Sequence, residues 1–257
     1  MTQAPMSLQD LQRKIYVKAK AEPSGRFWGL YGHVCTRETR RAAYGMAKAN
    51  NGAPGIDGVT VEAIEASGGE PFLEQRRDAR VARTSQPMRV RRKASPQDGG
   101  TQVRVLGIPT IRDRGVPGAL QLILAPVVEA DFQPGSYGYR PTRSAHAAGE
   151  RVAEAMVSWK PRVMEVDLQG YGDNIRHHVL VAKIAQRVND ADVMHRVKSL
   201  LTASGRQGVP QGGVLSPLLS QLSLTEVDRM LERAKAVTRN GTYTSIESAR
   251  FADDMVI

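Results

Sequence analysis

Apolar positions recur at helical spacing in five stretches of this chain. Thr36 caps the first, with Ala43, Met46 and Ala47 on one face until Asn50, Asn51 and Gly52 end it. Val116, Leu120, Ile123, Leu124 and Val127 mark a second, core-facing helix, in which Pro117 is tolerable only within the first turn. Ile175, Leu180, Ile184 and Val188 mark a third, opened by His177 and His178. Adjacent histidines point in different directions on a helix, so they make a poor metal pair. Asp190 caps a fourth with Val193, Val197 and Leu200, ended at Gly205. In the fifth, Ser216 and Pro217 stand as N-cap and first helical residue, ahead of Leu218, Leu222, Val227 and Met230. Nearer the N-terminus, residues 8–15 could make a short amphipathic basic helix with no readable partner.

Between these lie short β-prone runs. Met88-Arg89-Val90 and Val103-Arg104-Val105-Leu106 flank a turn at Ser95-Pro96-Gln97-Asp98-Gly99-Gly100. Arg250-Phe251-Ala252-Asp253-Asp254-Met255-Val256-Ile257 sets two adjacent carboxylates between apolar runs, the pattern of a tight hairpin with both acids at its tip. Their mutual repulsion makes a divalent cation a natural third party, although Asp-Asp alone is more often a solvated turn. Glu165-Val166-Asp167-Leu168 adds a second short strand with one more acid in Asp167. Three acids on two neighbouring strands could hold two hard cations.

Composition changes the picture chiefly through charge. With 257 residues, 41% hydrophobic and 24% charged, the chain can bury a sizeable core. No apolar run approaches the ~20 residues needed to cross a bilayer, and a secretion signal is not evident, so a cytoplasmic protein without membrane partners is expected. The lone Cys35 forbids an internal disulfide and a Cys-rich zinc site. Net charge is +10, and it is uneven: residues 1–120 carry 20 Lys and Arg against 11 Asp and Glu, residues 121–257 carry 16 against 15. The densest basic run holds Arg76, Arg77, Arg80, Arg83, Arg89, Arg91, Arg92 and Lys93. A solvated helix face is the plain reading; beside an acidic metal centre, a surface for a phosphate backbone is the better one. Aromatic residues are only 5%, which argues against base stacking as the main binding term. The Gly/Pro-rich stretch Asn51-Gly52-Ala53-Pro54-Gly55-Ile56-Asp57-Gly58 lacks the Gly-Lys-Ser/Thr ending of a P-loop.

Five ordered blocks carry a resemblance. They are residues 51–58, Arg104-Val105-Leu106-Gly107-Ile108-Pro109, Ser136-Tyr137-Gly138-Tyr139-Arg140-Pro141, the Asp167 segment through Asp173-Asn174-Ile175, and Gly208-Val209-Pro210-Gln211-Gly212-Gly213 leading to Ser216-Pro217, all ahead of Phe251-Ala252-Asp253-Asp254. Together they resemble the reverse transcriptases encoded by bacterial group II introns. The resemblance implies an α+β right-hand polymerase: an N-terminal extension over residues 1–30, fingers over 31–160 and a partial palm over 161–257, with thumb and maturase domains absent. It implies RNA-directed DNA polymerisation with an RNA template, a DNA primer and deoxynucleoside triphosphates as partners. Asp167, Asp253 and Asp254 would be the catalytic acids, holding two Mg²⁺ ions or Mn²⁺ in their place.

The same resemblance gives Arg104 the incoming triphosphate, places Gln211 against the nascent base pair, and puts Leu168 and Gly172 beside the nucleotide. Arg140 is equally a template contact or a buried arginine bracing its loop, and Arg89, Arg91, Arg92 and Lys93 would face RNA. Three positions depart from the pattern: Gln97 where a basic residue is common, Pro117 where Gln is usual, and Gly172 where an aromatic ring packs beneath the sugar. The departures point to an impaired enzyme. A non-catalytic protein binding folded intron RNA, or an inactive remnant, are the alternatives.

Overall fold

The computed structural model describes residues 6–68, 88–97, 102–158, 160, 162–239, 242–243 and 245–257. Arg76, Arg77, Arg80 and Arg83 of the basic run, and the Asp98-Gly99-Gly100 tip, lie outside them.

The fold is built around a helix apolar on nearly every side. Helix α5 (Ile111–Glu129) opens at Thr110, whose Oγ accepts the Asp113 N–H at 3.0 Å. Ala119, Leu120, Ile123 and Val127 are wholly buried, because α5 is enclosed by α1 (Leu8–Ala21), α2 (Leu30–Val34), α3 (Arg37–Ala49) and α10 (Ser216–Ala234). α3 comes so near that a Cβ on Gly118 would press the Ala43 methyl at 3.2 Å. Pro117 lies in the second turn of α5 and Pro126 deep inside it, so the expectation that Pro117 needs the first turn is corrected. Pro126 lacks the N–H that would bond the Leu122 carbonyl, and Gln12 of α1 takes that carbonyl at 2.9 Å. This is the partner of α1 that the chain's pattern left unread. α1 itself runs 14 residues, capped by Ser7, and buries Ile15 and Ala19.

Helices α8 (His177–Arg187) and α9 (Ala191–Ser204) complete the helical layer, with Leu180, Ile184, Val193, Val197 and Leu201 in the core. Asp190 caps α9 through the Asp192 and Val193 N–H groups, each at 3.1 Å. α10 starts one residue earlier than expected, with Leu215 as N-cap and Ser216 as the first helical residue, and Met230 is 55% exposed instead of core. Met46 is likewise on the surface of α3. Several elements were not foreseen, among them α2, α4 (Val61–Ala66), capped by Thr60, and the single turn α7 (Tyr171–Asn174). α6 (Ala145–Val157) packs on the strand Ala249–Phe251.

Among the described residues the paired strands are antiparallel, and single parallel bridges join Phe27 to Val188 and Ser136 to Arg250. β1 (Arg91–Gln97) and β2 (Gln102–Ile108) form a hairpin three residues further along β1 than the β-prone run Met88-Arg89-Val90 suggested. Pro96 is tolerated there because a two-stranded ribbon has only edges. β3 (Glu165–Val166), β7 (Asp254–Val256) and β6 (Ala249–Phe251) make a sheet in that spatial order, and β4 (Thr238–Arg239) pairs with β5 (Thr242–Tyr243). No described helix is long and apolar enough to cross a membrane.

Candidate active site

The acids meet at one end of the three-stranded sheet. Phe251 pairs with Asp254, so Ala252 and Asp253 alone form the turn and Asp254 opens β7. The expected tip thus carries one acid, with the second beginning the strand. Glu165 pairs with Val256 and Val166 with Met255. One further step in that register sets Asp167 across from Asp254, and alternation puts Glu165, Asp167 and Asp254 on one face while Met255 is buried beneath. The Asp254 carboxyl is held above the usual carboxylate range, first by partial burial and then by the negative charges of Asp253, Asp167 and Glu165. Among the described residues, no three side chains converge on a single ion position as they stand. The donor chemistry nonetheless fits a hard divalent cation: carboxylate oxygens on adjacent strands, crowded enough to repel, at an exposed edge.

The turn is framed from behind. Ala252 adopts φ +60°, a left-handed backbone that L-residues rarely take. The loop after α5 runs alongside β6: the Arg250 N–H donates to Gly135 O and the Tyr137 N–H to Arg250 O, both at 2.8 Å. A Cβ on Gly138 would stand 2.3 Å from the Ala252 nitrogen, so only glycine admits this approach. Arg250, Asp228 and Gln221 lie buried under the turn. The only signal for them in the chain was an arginine one residue before the aromatic-Ala-Asp-Asp run and a lone Asp on the apolar side of α10.

Arg140 belongs to the same loop. Its side chain is 7% exposed, paired with Glu129 at 2.6 Å, bonded to the Gln133 and Ser136 carbonyls at 2.8 and 2.6 Å, and set over the Phe132 ring. Of its two readings, this geometry is that of the bracing arginine.

Gln211 joins the two parts of the site. Its carbonyl accepts the Gly107 N–H of β2 at 3.1 Å, and its side-chain amide donates to both oxygens of Asp173, at 3.0 and 3.1 Å. Asp173 was not singled out beforehand. Both line a cleft of about 570 Å³ that also holds Arg89, Arg92 and Pro117. The 207–211 segment is laced to α7 by Val209 N–H to Gly172 O at 2.9 Å and Gly208 N–H to Ile175 O at 2.8 Å, while the His177 ring bonds Gly208 O at 2.7 Å. A Cβ on Gly172 would meet nothing within 4 Å, so the place where the resemblance puts an aromatic ring is open space. Tyr171 does not swing into it, because its hydroxyl donates to Ser220 O at 2.8 Å. Leu168 is half-buried at the exit of β3. Arg104 lies opposite Ser95 in β2, and its side chain is outside the described residues. Arg89, Arg92 and Lys93 are exposed and Arg91 is half-buried.

An acid-bearing three-stranded sheet beside a helical layer, with a basic hairpin hinged over a cleft, is the α+β fingers-and-palm arrangement of a polymerase. Residues 92–257 match the family described as Reverse transcriptase (RNA-dependent DNA polymerase), and the chain belongs to that family. It is similar to Protein YkfC of Escherichia coli (strain K12), 31% identical over 98% of this chain and 76% of YkfC. It is also similar to the group II intron-encoded protein LtrA of Lactococcus lactis subsp. cremoris, 29% identical over 81% of this chain but only 36% of LtrA. The resemblance to group II intron-encoded proteins is thereby borne out. A chain of a partial Cas6-RT-Cas1–Cas2 complex shares the fold, with a TM-score of 0.50 at 21% identity over 87% of this chain and 37% of that one.

Proposed function

We propose that this chain carries the fingers and the acid-bearing palm sheet of an RNA-directed DNA polymerase from a group II intron mobile element, with residues 31–160 as fingers and 161–257 in the palm. The observation that carries the reading is the gathering of Asp167, Asp253 and Asp254 at one sheet end, where partial burial and then the charges of Asp253, Asp167 and Glu165 raise the pKa of Asp254. Two Mg²⁺ ions bound there would lower the pKa of a primer 3′-hydroxyl and stabilise charge on the attacking and leaving oxygens. Asp167 just after β3, Asp253 in the turn and Asp254 at the start of β7 would supply the carboxylates. Gln211, oriented by Asp173, faces the nascent pair across the cleft, and Arg89, Arg92 and Lys93 hold the template backbone by charge alone. The primer 3′-hydroxyl is itself the nucleophile on the α-phosphate and pyrophosphate is the leaving group, so no protein nucleophile is needed.

Gly172 leaves the sugar unwalled, and with Gln97 and Pro117 it makes this an impaired enzyme. The test is extension of a DNA primer on an RNA template with Mg²⁺, comparing deoxynucleotides with ribonucleotides. Short template-directed additions are expected, lost in Asp253→Asn, with ribonucleotides rejected only in Gly172→Phe. Incorporation unchanged in Asp253→Asn would overturn the assignment. Salt-sensitive RNA binding without any incorporation would turn the reading to a non-catalytic intron-RNA-binding protein.

A further inference from the structure

Among the described residues, the largest side chain less than 2% exposed is a charged one. Arg250 is 1% exposed, and its guanidinium is held on every side. Nε and Nη2 donate to the two Asp228 oxygens at 2.7 and 2.6 Å, Nη2 to Ser136 Oγ at 2.9 Å, and Nη1 to Gln221 Oε1 at 2.8 Å and to the Ala252 carbonyl at 2.6 Å. Asp228 is itself 5% exposed and Gln221 1%. A buried ion pair is weak grounds for stability, since apolar residues of the same volume often serve packing as well. What apolar residues cannot do is grip a carbonyl.

The gripped carbonyl belongs to Ala252, the left-handed residue on which the turn depends. Strands of three residues do not hold their own geometry, so the position of the turn must come from elsewhere. Two contacts supply it. Gly138 abuts the Ala252 backbone from one side, and Arg250 ties it to α10 and to the 135–138 loop from the other. We propose that Arg250 is a positioning residue, which indexes the Ala252-Asp253 turn to Asp228 and Gln221 of α10 and so fixes Asp253 relative to Asp167, the residue that follows β3. The proposal rests on the reading of these acids as metal ligands. Arginine is required for it, because only a planar fork can take a bidentate carboxylate along one edge while donating to an amide oxygen and a backbone carbonyl along another.

The test uses the full chain and Mn²⁺ as probe, with four variants. Arg250→Lys keeps the charge and loses the fork; Gln221→Ala removes one partner of the guanidinium. Leu120→Val loosens the core away from the turn, and Asp253→Asn removes a ligand. Each is followed by denaturant unfolding, by hydrogen exchange of the 252–255 amides, and by Mn²⁺ binding under conditions where it is folded. In Arg250→Lys the turn amides exchange faster and Mn²⁺ affinity falls about ten- to a hundredfold, the usual loss when a group orienting a ligand is removed. Gln221→Ala moves the same way by less. Leu120→Val, though less stable than the parent, changes neither.

Parent-like exchange and Mn²⁺ affinity in folded Arg250→Lys and Gln221→Ala overturn the proposal, as does an equal loss in Leu120→Val. If Arg250→Lys does not fold, Gln221→Ala decides by the same comparison. If the parent and Asp253→Asn bind Mn²⁺ alike, the ligand reading fails, and hydrogen exchange still decides whether Arg250 indexes the turn.

Discussion

The hairpins β1–β2 and β6–β7 carry the charge on which the proposed chemistry turns, and they are built in opposite ways. β1 and β2 pair over seven residues each, stand largely in solvent and present Arg92 and Lys93 without burying them. Near its base, the ribbon meets the rest of the site through the Gly107 to Gln211 hydrogen bond. β6 and β7 pair over three residues each and would not stand alone, yet their turn sits on a guanidinium enclosed by Asp228, Gln221 and Ser136. A phosphate backbone is a line of charge that can be met by hydrated, adaptable cations, and release of counterions supplies the affinity. Carboxylates that share an ion must be held at set separations, so their support is buried and directional. The difference teaches that a charged side chain's role here follows from its burial, and residue type does not reveal burial.

The largest expected effect comes from breaking the buried support. Arg250→Met leaves the Asp228 carboxylate enclosed and unpaired, and should lower unfolding free energy by about 3–5 kcal/mol in a denaturant titration. Arg250→Met with Asp228→Leu should lose much less, because no orphaned charge remains. Equal losses in the single and double variants would mean that the pair's charge is immaterial.

A smaller effect lies beside β6. Burial works to raise the pKa of Glu247, but hydrogen bonds from Lys235, at 2.8 Å, and from Arg151 outweigh it and hold the carboxyl at about 2. A depressed carboxylate adds stability above its unfolded pKa, and that stability is lost as pH falls from about 4.5 towards 2. Glu247→Gln should flatten this acid limb and cost about 1–2 kcal/mol at neutral pH, allowing for solvent screening of a partly exposed network. An acid limb as steep in the variant as in the parent would assign it to other groups.

The exposed hairpin should behave differently. Replacing Arg89, Arg91, Arg92 and Lys93 with Ser should move stability by only about 0.5 kcal/mol. It should nonetheless weaken RNA binding and reduce the salt slope by about 1 for each side chain that meets a phosphate. An unchanged slope would leave the run a solvated face. Smallest of all, Gly172→Phe enters open space and should shift the unfolding midpoint hardly at all; a loss of several kcal/mol would show the space to be closed.

The contrast also accounts for what the chain made legible. Helical periodicity found α5, α8, α9 and α10, since their buried faces repeat at the period of the helix. The acid hairpin was visible because two carboxylates stand between apolar runs, and Asp167 upstream separates it from an ordinary solvated turn. The positive excess of residues 1–120 was harder to interpret. It counts Arg40 and Arg114, both buried, together with the exposed Arg92 and Lys93. Arg114 ties the 52–53 loop to α5 through the Gly52, Ala53 and Pro109 carbonyls. Arg187 likewise closes the end of α1 through the Ala19 and Glu22 carbonyls, each at 2.7 Å, and pairs with Asp131 at 3.1 Å. Such arginines satisfy carbonyls brought together only by tertiary structure, so no local pattern announces them. Pro126 escaped for the same reason, its freed carbonyl being taken by Gln12 more than 100 residues away in sequence.

The central claim is that Asp167, Asp253 and Asp254 act together on a divalent cation. Calorimetric titration of the folded chain with Mn²⁺ tests it most directly, with Asp253→Asn as the comparison because it removes one charge at almost constant volume. The account predicts measurable binding by the parent and a marked loss in Asp253→Asn at unchanged thermal stability; equal affinity in the two would contradict it.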